Sequence, residues 1–522
     1  MKLAAIFKDG MVLQRNAEVS IFGESTSEEM VYITIDDIRV EEKVNAGKWI
    51  IKLPPHAEGG PFEMKITSDN DEVIIRDILY GEVWLNNGQS NIELELKDCQ
   101  DGPEIIQTAN LPEIRYYHVP KLPLVNEELF EAEKDTCWNS ITDKDFGDVS
   151  GIGYFYAKKL YEKLGVPIGM IDCYQGGSSI TCWLEDSRLG NVTSGREVQQ
   201  RVKDYYSGKT EAEIAKIEDD YNALANKFDE TIAEATKKNP DISMDELIDL
   251  AGYYPWPPPI TPWSMFRPSG LIESMLKRIV PYTIKGIVYY QGEEDSIKNL
   301  EFYEKTGKNE YYYLLLKELI SQYRDLFGNK ELPFIYFQLP MFIEHRREDL
   351  RDWATIREAQ QMVEDDVKGA YLSSLIDLGE YNNVHPVDKE TPGNRVSDVL
   401  FEKVYGLEGY HDMKAQGINK LNDKIYINLS GTYGEVRTQK NSLIDHRNET
   451  PEKEEADHIY GLEVRKEDGK WYVPKAHIDK ETIVIEDADE IKWVRYGFFN
   501  YGKVNVYNKK GLPLRQFSIE VK

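Results

Sequence analysis

The sequence predicts an α/β domain built on a parallel sheet, flanked by β regions at both ends and interrupted by a helical insertion. Three observations predict it. Apolar strand-like runs alternate with amphipathic helical patterns from about residue 79 to 410, as in a parallel sheet covered on both faces. Short alternating runs punctuated by Gly, Pro and Asp fill residues 1–78 and return after about 411, which suggests antiparallel β structure. At 522 residues the chain exceeds one ordinary core, so about two to four domains are expected.

In order along the chain, "MVLQRNAEVSIFG", "VYITIDD", "KWIIKL" and "FEMKITSD" supply the first β domain, residues 1–78. The α/β domain, 79–410, takes its strands from "GEVWLNNG", "PIGMIDCYQGG", "IKGIVYYQGEE", "PFIYFQLP" and "GAYLSSLIDLG". Its helices come from "GIGYFYAKKLYEKLG", "LIESMLKRIV", "EYYYLLLKELISQYRDLFG" and "WATIREAQQMVEDD". The insertion covers about 190–265. There Ile214, Ile217, Tyr221, Leu224, Phe228 and Ile232 recur every three or four residues, one face of a long helix. Asn239-Pro240-Asp241 ends that helix, and Ser243 with Glu246 reads as the capping box of a second. The aromatic loop "YYPWPPPITPW" leads back to the sheet, and "KIYINLS", "TIVIED", "IKWVRYG", "KVNVYN" and "RQFSIEV" form the C-terminal β region, 411–522.

Bulk properties exclude several functions. A net charge of −29 leaves nothing to neutralise a phosphate backbone, so no nucleic-acid partner is expected. Cys99, Cys137, Cys173 and Cys182 show no metal-ligand spacing and no HExxH is present, so neither metal nor cofactor is expected. "SGIGYF" has only Gly-x-Gly and opens a helix, which is no dinucleotide fingerprint. No segment is long enough to span a membrane, and the N-terminal apolar run is too short for a secretory signal. The expected location is therefore cytoplasmic, where the sequons at Asn191, Asn428 and Asn448 carry no meaning. Nothing specifies an oligomeric state.

Chemistry concentrates where strands end. In "GEVWLNNGQSN" an apolar run stops on Gly88-Gln89-Ser90-Asn91. That is either a plain turn or a serine presented at the carboxyl edge of the sheet, where α/β proteins bind ligands. A serine nucleophile needs a base and donors for an oxyanion. Of eight histidines, His56, His411, His446, His458 and His477 lie in or near the β regions, His118 in a linker and His345 in a loop. His385, in "NNVHPVDKETPGNR", follows the final α/β strand and precedes a helix, which puts it on the edge that carries Ser90. Gly176-Gly177 lets a bare backbone N–H approach a ligand, and Gln291 offers an amide at a third strand end. Singly, each has a bland reading as a turn or surface residue. Their convergence on one edge points to acyl transfer.

These residues resemble the SGNH hydrolases, in particular the sialate O-acetylesterase-like carbohydrate esterases. "DGMVLQRNAEVSIFG", "GEVWLNNGQSN", "VPIGMIDCYQGGSSITCW", "PSGLIESMLKRIVPYTIKGIVYYQGEEDS", "WATIREAQ", "VHPVDKETPGNR" and "VNVYNKKGLPLRQFSIE" look like that family's blocks in the same order. The resemblance implies a three-layer α/β/α domain with Ser90 as nucleophile and His385 as base. It implies an oxyanion hole made of the N–H groups of Ser90 and Gly177 with the Gln291 side chain. The family pattern places an aspartate two or three residues before the histidine; here those positions are Asn382 and Asn383. An amide supplies no negative charge. Relatives with a Gln-Gly-Glu block use its glutamate, which points to Glu293; otherwise Glu293 is structural and Ser90–His385 is a dyad, or another acid such as Asp377 serves.

The substrate implied is an acetylated mono- or oligosaccharide, with Asn91, Arg357 and Trp256 as candidate contacts. A sialate carboxylate wants an arginine, for which Arg346, Arg347 and Arg357 are available. A neutral sugar wants aromatic platforms such as Trp256 or Trp263, and the acidic chain favours it. A glycosidase needs two facing carboxylates, and nothing pairs Glu293, Glu294 or Asp295 with a partner on another strand end. The alternative outside catalysis is a carbohydrate-binding protein on a decayed esterase scaffold, which the two asparagines before His385 favour.

Overall fold

The strand Glu72–Gly88 organises the protein. The computed structural model describes residues 1–69, 71–142, 145–240, 242–444 and 458–521, so Asp241, His446 and the sequon at Asn448 lie outside the described residues. Around Glu72–Gly88 the main sheet runs in the order Trp138–Ile141, Leu111–His118, Ile168–Tyr174, Glu72–Gly88, Gly286–Tyr290, Phe334–Gln338, Ala370–Ser374. All neighbours are parallel except the edge pair Trp138–Ile141 and Leu111–His118. Leu85 lies opposite Ile171 on one side and Ile287 on the other. Such strands are apolar along their whole length because both faces are covered, and Ile168–Tyr174, Gly286–Tyr290 and Phe334–Gln338 are buried at every position.

Two neighbouring residues show the covering directly. Asn86 accepts a hydrogen bond from Tyr156 in the helix Gly151–Leu164, at 2.7 Å. Asn87 accepts one from Tyr323 in the helix Tyr311–Leu326, at 2.9 Å. Successive strand residues face opposite ways, so helices lie on both faces of the sheet.

The same strand reaches into the N-terminal β region. Its first half pairs antiparallel with Gly59–Thr67, and Leu79–Gly81 pairs parallel with Val12–Gln14. Position 78, where the sequence rhythm changes, falls inside this 17-residue strand. A continuous apolar core runs from Ile6 to Phe401, whereas the C-terminal strands enclose a second core that Met341 and Ile376 join. The insertion carries the helices Thr193–Tyr206, Glu211–Lys238 and Met244–Ala251. Capping boxes start the last two, at Thr210 with Glu213 and at the expected Ser243 with Glu246. Among the described residues no helix is long and apolar enough to cross a membrane, and no His, Cys, Asp and Glu side chains gather as a metal site.

Candidate active site

Gly88 brings the strand end into position. Its φ is +135°, and a Cβ there would stand 2.1 Å from the Tyr290 carbonyl oxygen, so only glycine fits. Gln89 then braces the neighbouring strand end, its Oε1 accepting from the N–H groups of Gly292 and Glu294 at 3.3 and 3.4 Å. Ser90 opens a single helical turn, Ser90–Glu93, and stays half-buried at the sheet edge. Its Oγ lies 2.7 Å from His385 Nε2. Serine and histidine thus meet across 295 residues of chain, as the sequence predicts.

The histidine loop explains the two asparagines. Asn383 Oδ1 accepts from the His385 backbone N–H at 3.0 Å, and its Nδ2 donates to Glu380 at 2.8 Å. Glu380 also accepts from the Val387 N–H at 2.8 Å. Asn382, at φ +55°, accepts from the His345 N–H at 2.8 Å. Both side chains brace backbone. His385 Nδ1 has no hydrogen-bond partner among the described residues, and no carboxylate lies within ion-pair distance of the ring. Burial, with a smaller contribution from the Lys389 charge, lowers the His385 pKa to about 4, so the ring is neutral at physiological pH.

Glu293 therefore stands apart from the role the resemblance implies. Its Oε1 accepts from Asn91 Nδ2 at 2.8 Å, and its buried Oε2 has no partner among the described residues. Burial raises its pKa to about 7. Asp377 does not replace it, since Arg395 holds both of its oxygens at 2.6 and 2.8 Å. Asn91, expected at the substrate, is instead fully buried. It donates to Glu293 and to the Val384 carbonyl at 2.9 Å, and it accepts from Lys389 Nζ at 2.7 Å. Lys389 is only 2% exposed, and burial lowers its pKa to about 8. Sequence reasoning missed this lysine because a charged residue in a turn before a helix reads as solvated. Its place four residues after the histidine was the available signal.

The Gly176-Gly177 turn lies beside the serine: a Cβ on Gly176 would sit 3.5 Å from Ser90 Cβ. The backbone N–H groups of Ser90 and Gly177 donate to no protein atom among the described residues. Gln291 is a correction. It is 1% exposed, and its amide hydrogens are committed to the Ser178 carbonyl at 3.1 Å and Asp295 at 2.7 Å. None is left for an oxyanion; the side chain ties two loops together.

Trp256 stands where a sugar platform would. It is 42% exposed, its ring occupies the space a Gly177 Cβ would enter, and its Nε1 donates to Glu294 at 2.6 Å. Gly177, Trp256, Glu294, Arg201, Lys298 and Tyr311 line a cavity of about 140 Å³ there. Arg357 is the remaining correction. Fully buried, it donates to Gln516 at 2.9 Å and to the carbonyls of Pro340, Gly497 and Phe499, out of reach of any substrate. Arg346 and Arg347 pair with Asp249 and Glu344 at 3.1 and 2.9 Å.

Residues 259–388, which include Gln291, Glu293 and His385, match the family model of the carbohydrate esterases described as sialic acid-specific acetylesterases. The sialate O-acetylesterase of Mus musculus is 23% identical over 429 residues, covering 76% of this chain and 72% of its own. That of Homo sapiens is 22% identical over 475 residues, covering 84% and 78%. The crystal structure of a carbohydrate acetylesterase from Xanthomonas citri shares the fold over 100% of both chains, with a TM-score of 0.74 at 22% identity. Matched segment, relatives and fold point the same way: the chain is similar to the sialate O-acetylesterases and shares the fold of a carbohydrate acetylesterase.

Proposed function

We propose that the protein hydrolyses acetyl esters on sugar hydroxyls through a Ser90–His385 dyad set at the edge of a three-layer α/β/α SGNH-type domain. The observation that carries the reading is the 2.7 Å contact between Ser90 Oγ and His385 Nε2, with two unengaged backbone N–H groups beside it. Ser90 Oγ attacks the acetyl carbonyl carbon while His385 Nε2 takes its proton. The N–H groups of Ser90 and Gly177 receive the negative charge that develops on the carbonyl oxygen. His385 returns the proton to the sugar oxygen as the C–O bond breaks, leaving an acetyl-serine. A water gives its proton to His385 and attacks that ester; acetate leaves and the serine recovers its proton.

Ser90→Ala is expected to lower kcat/KM on 4-nitrophenyl acetate by at least about three powers of ten. A variant that keeps most of the activity would remove Ser90 from the reaction. A wild type inert on every acetyl ester would favour the binding-protein reading.

The sugar's charge divides into two readings. Burial of Arg357 and the pairing of Arg346 and Arg347 support a neutral sugar, as does the net charge of −29. Arg201 supports an acidic one: it lines the cavity beside Gly177 and has no carboxylate partner among the described residues. We favour the acidic sugar, because a cation that lines the cavity beside Gly177 outweighs distant, screened charge. Kcat/KM on an O-acetyl sialate against an acetylated xylo-oligosaccharide, with and without Arg201→Ala, tests this. A xylo-oligosaccharide preference unaffected by the substitution would reverse it.

A further inference from the structure

The helical insertion touches the surroundings of the candidate site at two places, through Trp256 at Gly177 and through Tyr253 at His345. At the first, its return loop lays Trp256 on Gly177, next to Ser90. This side is firmly built. Trp256 Nε1 donates to Glu294 at 2.6 Å, its ring meets Phe266 edge-on at 5.3 Å, and Tyr206 donates to the Ile260 carbonyl at 2.6 Å. Buried Thr261 is tied to Glu218 of the long helix at 2.6 Å.

On the second side, Tyr253 donates to the His345 carbonyl at 2.9 Å, and Asp249 pairs with Arg346 at 3.1 Å. The His345 loop is bonded in turn to Asn382, three residues before His385. The contacts therefore form a closed circuit: Ser90, Gly176-Gly177, Trp256, Tyr253, His345, Asn382, His385 and back to Ser90. Residues 249–256 bridge from one flank of the nucleophile to the other.

We propose that this bridge is a roof that admits acetylated monosaccharides and chain ends but excludes internal residues of a polysaccharide. The inference rests on the esterase reading and goes beyond it by assigning the insertion a role in substrate size. An internal residue needs a groove open at both ends, which a bridge carried by this circuit over the nucleophile closes. The two flanks also differ in strength. The Gly177 side is packed, whereas the Arg346–Asp249 side chains are 68% and 59% exposed and such pairs hold weakly. The roof is therefore hinged on the Trp256 side and released on the His345 side.

The test compares the same sugar as monomer and as polymer: O-acetyl sialic acid against O-acetylated polysialic acid, and an acetylated methyl xyloside against acetylxylan. 4-Nitrophenyl acetate serves as the size-independent control. Arg346→Asp sets two carboxylates against each other and, combined with Tyr253→Phe, is expected to raise the polymer-to-monomer ratio of kcat/KM about tenfold, with the control unchanged. Adding Asp249→Arg restores the pair with reversed charges and should bring the ratio back down. A wild type equally fast on polymer and monomer overturns the proposal, and so does a ratio that these substitutions leave unmoved. A wild type inert even on 4-nitrophenyl acetate defeats the esterase reading instead. The roof is then read from calorimetric binding of the deacetylated sugars: tighter monomer binding upholds it and equal affinity overturns it.

Discussion

On the proposed mechanism His385 is a base tuned by burial rather than by an acid, because nothing among the described residues engages its Nδ1 and its pKa is lowered to about 4. The base acts unprotonated, so kcat/KM should rise with pH through about 4 and stay level from about 5 to 8. Glu293 titrates near 7, and a second inflection there would put it in the reaction. The same carboxyl makes a stability prediction. Its folded pKa lies above the unfolded value, so the native state holds the proton between pH 4.5 and 7 and loses stability as pH rises through that window. A shift of this size corresponds to on the order of 3 kcal/mol. Glu293→Gln should therefore raise the melting temperature at pH 8, change little at pH 4, and leave turnover within about tenfold. A turnover loss beyond a hundredfold, with stability intact, would restore Glu293 as the orienting acid.

At the scale of elements, three segments must be held together before any chemistry occurs: the serine turn, the end of strand Gly286–Tyr290 and the histidine loop. Asn91 joins them. Its amide bonds Glu293 after that strand, the Val384 carbonyl in the loop, and Lys389 at the start of the next helix. Asn91→Ala leaves a buried ammonium and a buried carboxyl without their shared partner. The expected cost is roughly 2–4 kcal/mol, read by urea unfolding, with kcat falling more than KM changes. A variant as stable as the wild type would show that water replaces the amide. Ser90 and His385 were legible because strand ends are where α/β proteins place chemistry, and Gly176-Gly177 because an open N–H demands small residues. Asn91, Gln291 and Lys389 were not. A polar side chain near a site reads alike whether it faces the ligand or a buried partner.

Across the whole molecule, Arg357 shows how far such a misreading reaches. It joins the helix Asp352–Asp366 to the segments that border the C-terminal strands, through Gln516, Gly497 and Phe499. Arg357→Ala should cost about 3–5 kcal/mol, since it empties a large buried site and strands several carbonyls. Its KM on an aryl acetate should stay unchanged. Normal stability with a raised KM for an acidic sugar ester would return Arg357 to the substrate. The C-terminal β region is thus anchored to the α/β domain by a buried cation.

The sequence by itself determined the order of elements, the parallel sheet, the insertion and the meeting of Ser90 with His385. Each of these follows from periodicity and from what strand ends are made of, which are local properties of the chain. Only the tertiary structure decided that Glu293 lies off the imidazole, that Gln291 has no hydrogen to spare, that Lys389 is buried, and that the insertion touches both Gly177 and the His345 loop. Those outcomes depend on which of several possible partners a polar group meets, and on how much water the packing leaves it. Partner choice and solvent exclusion arise only when segments hundreds of residues apart are packed together.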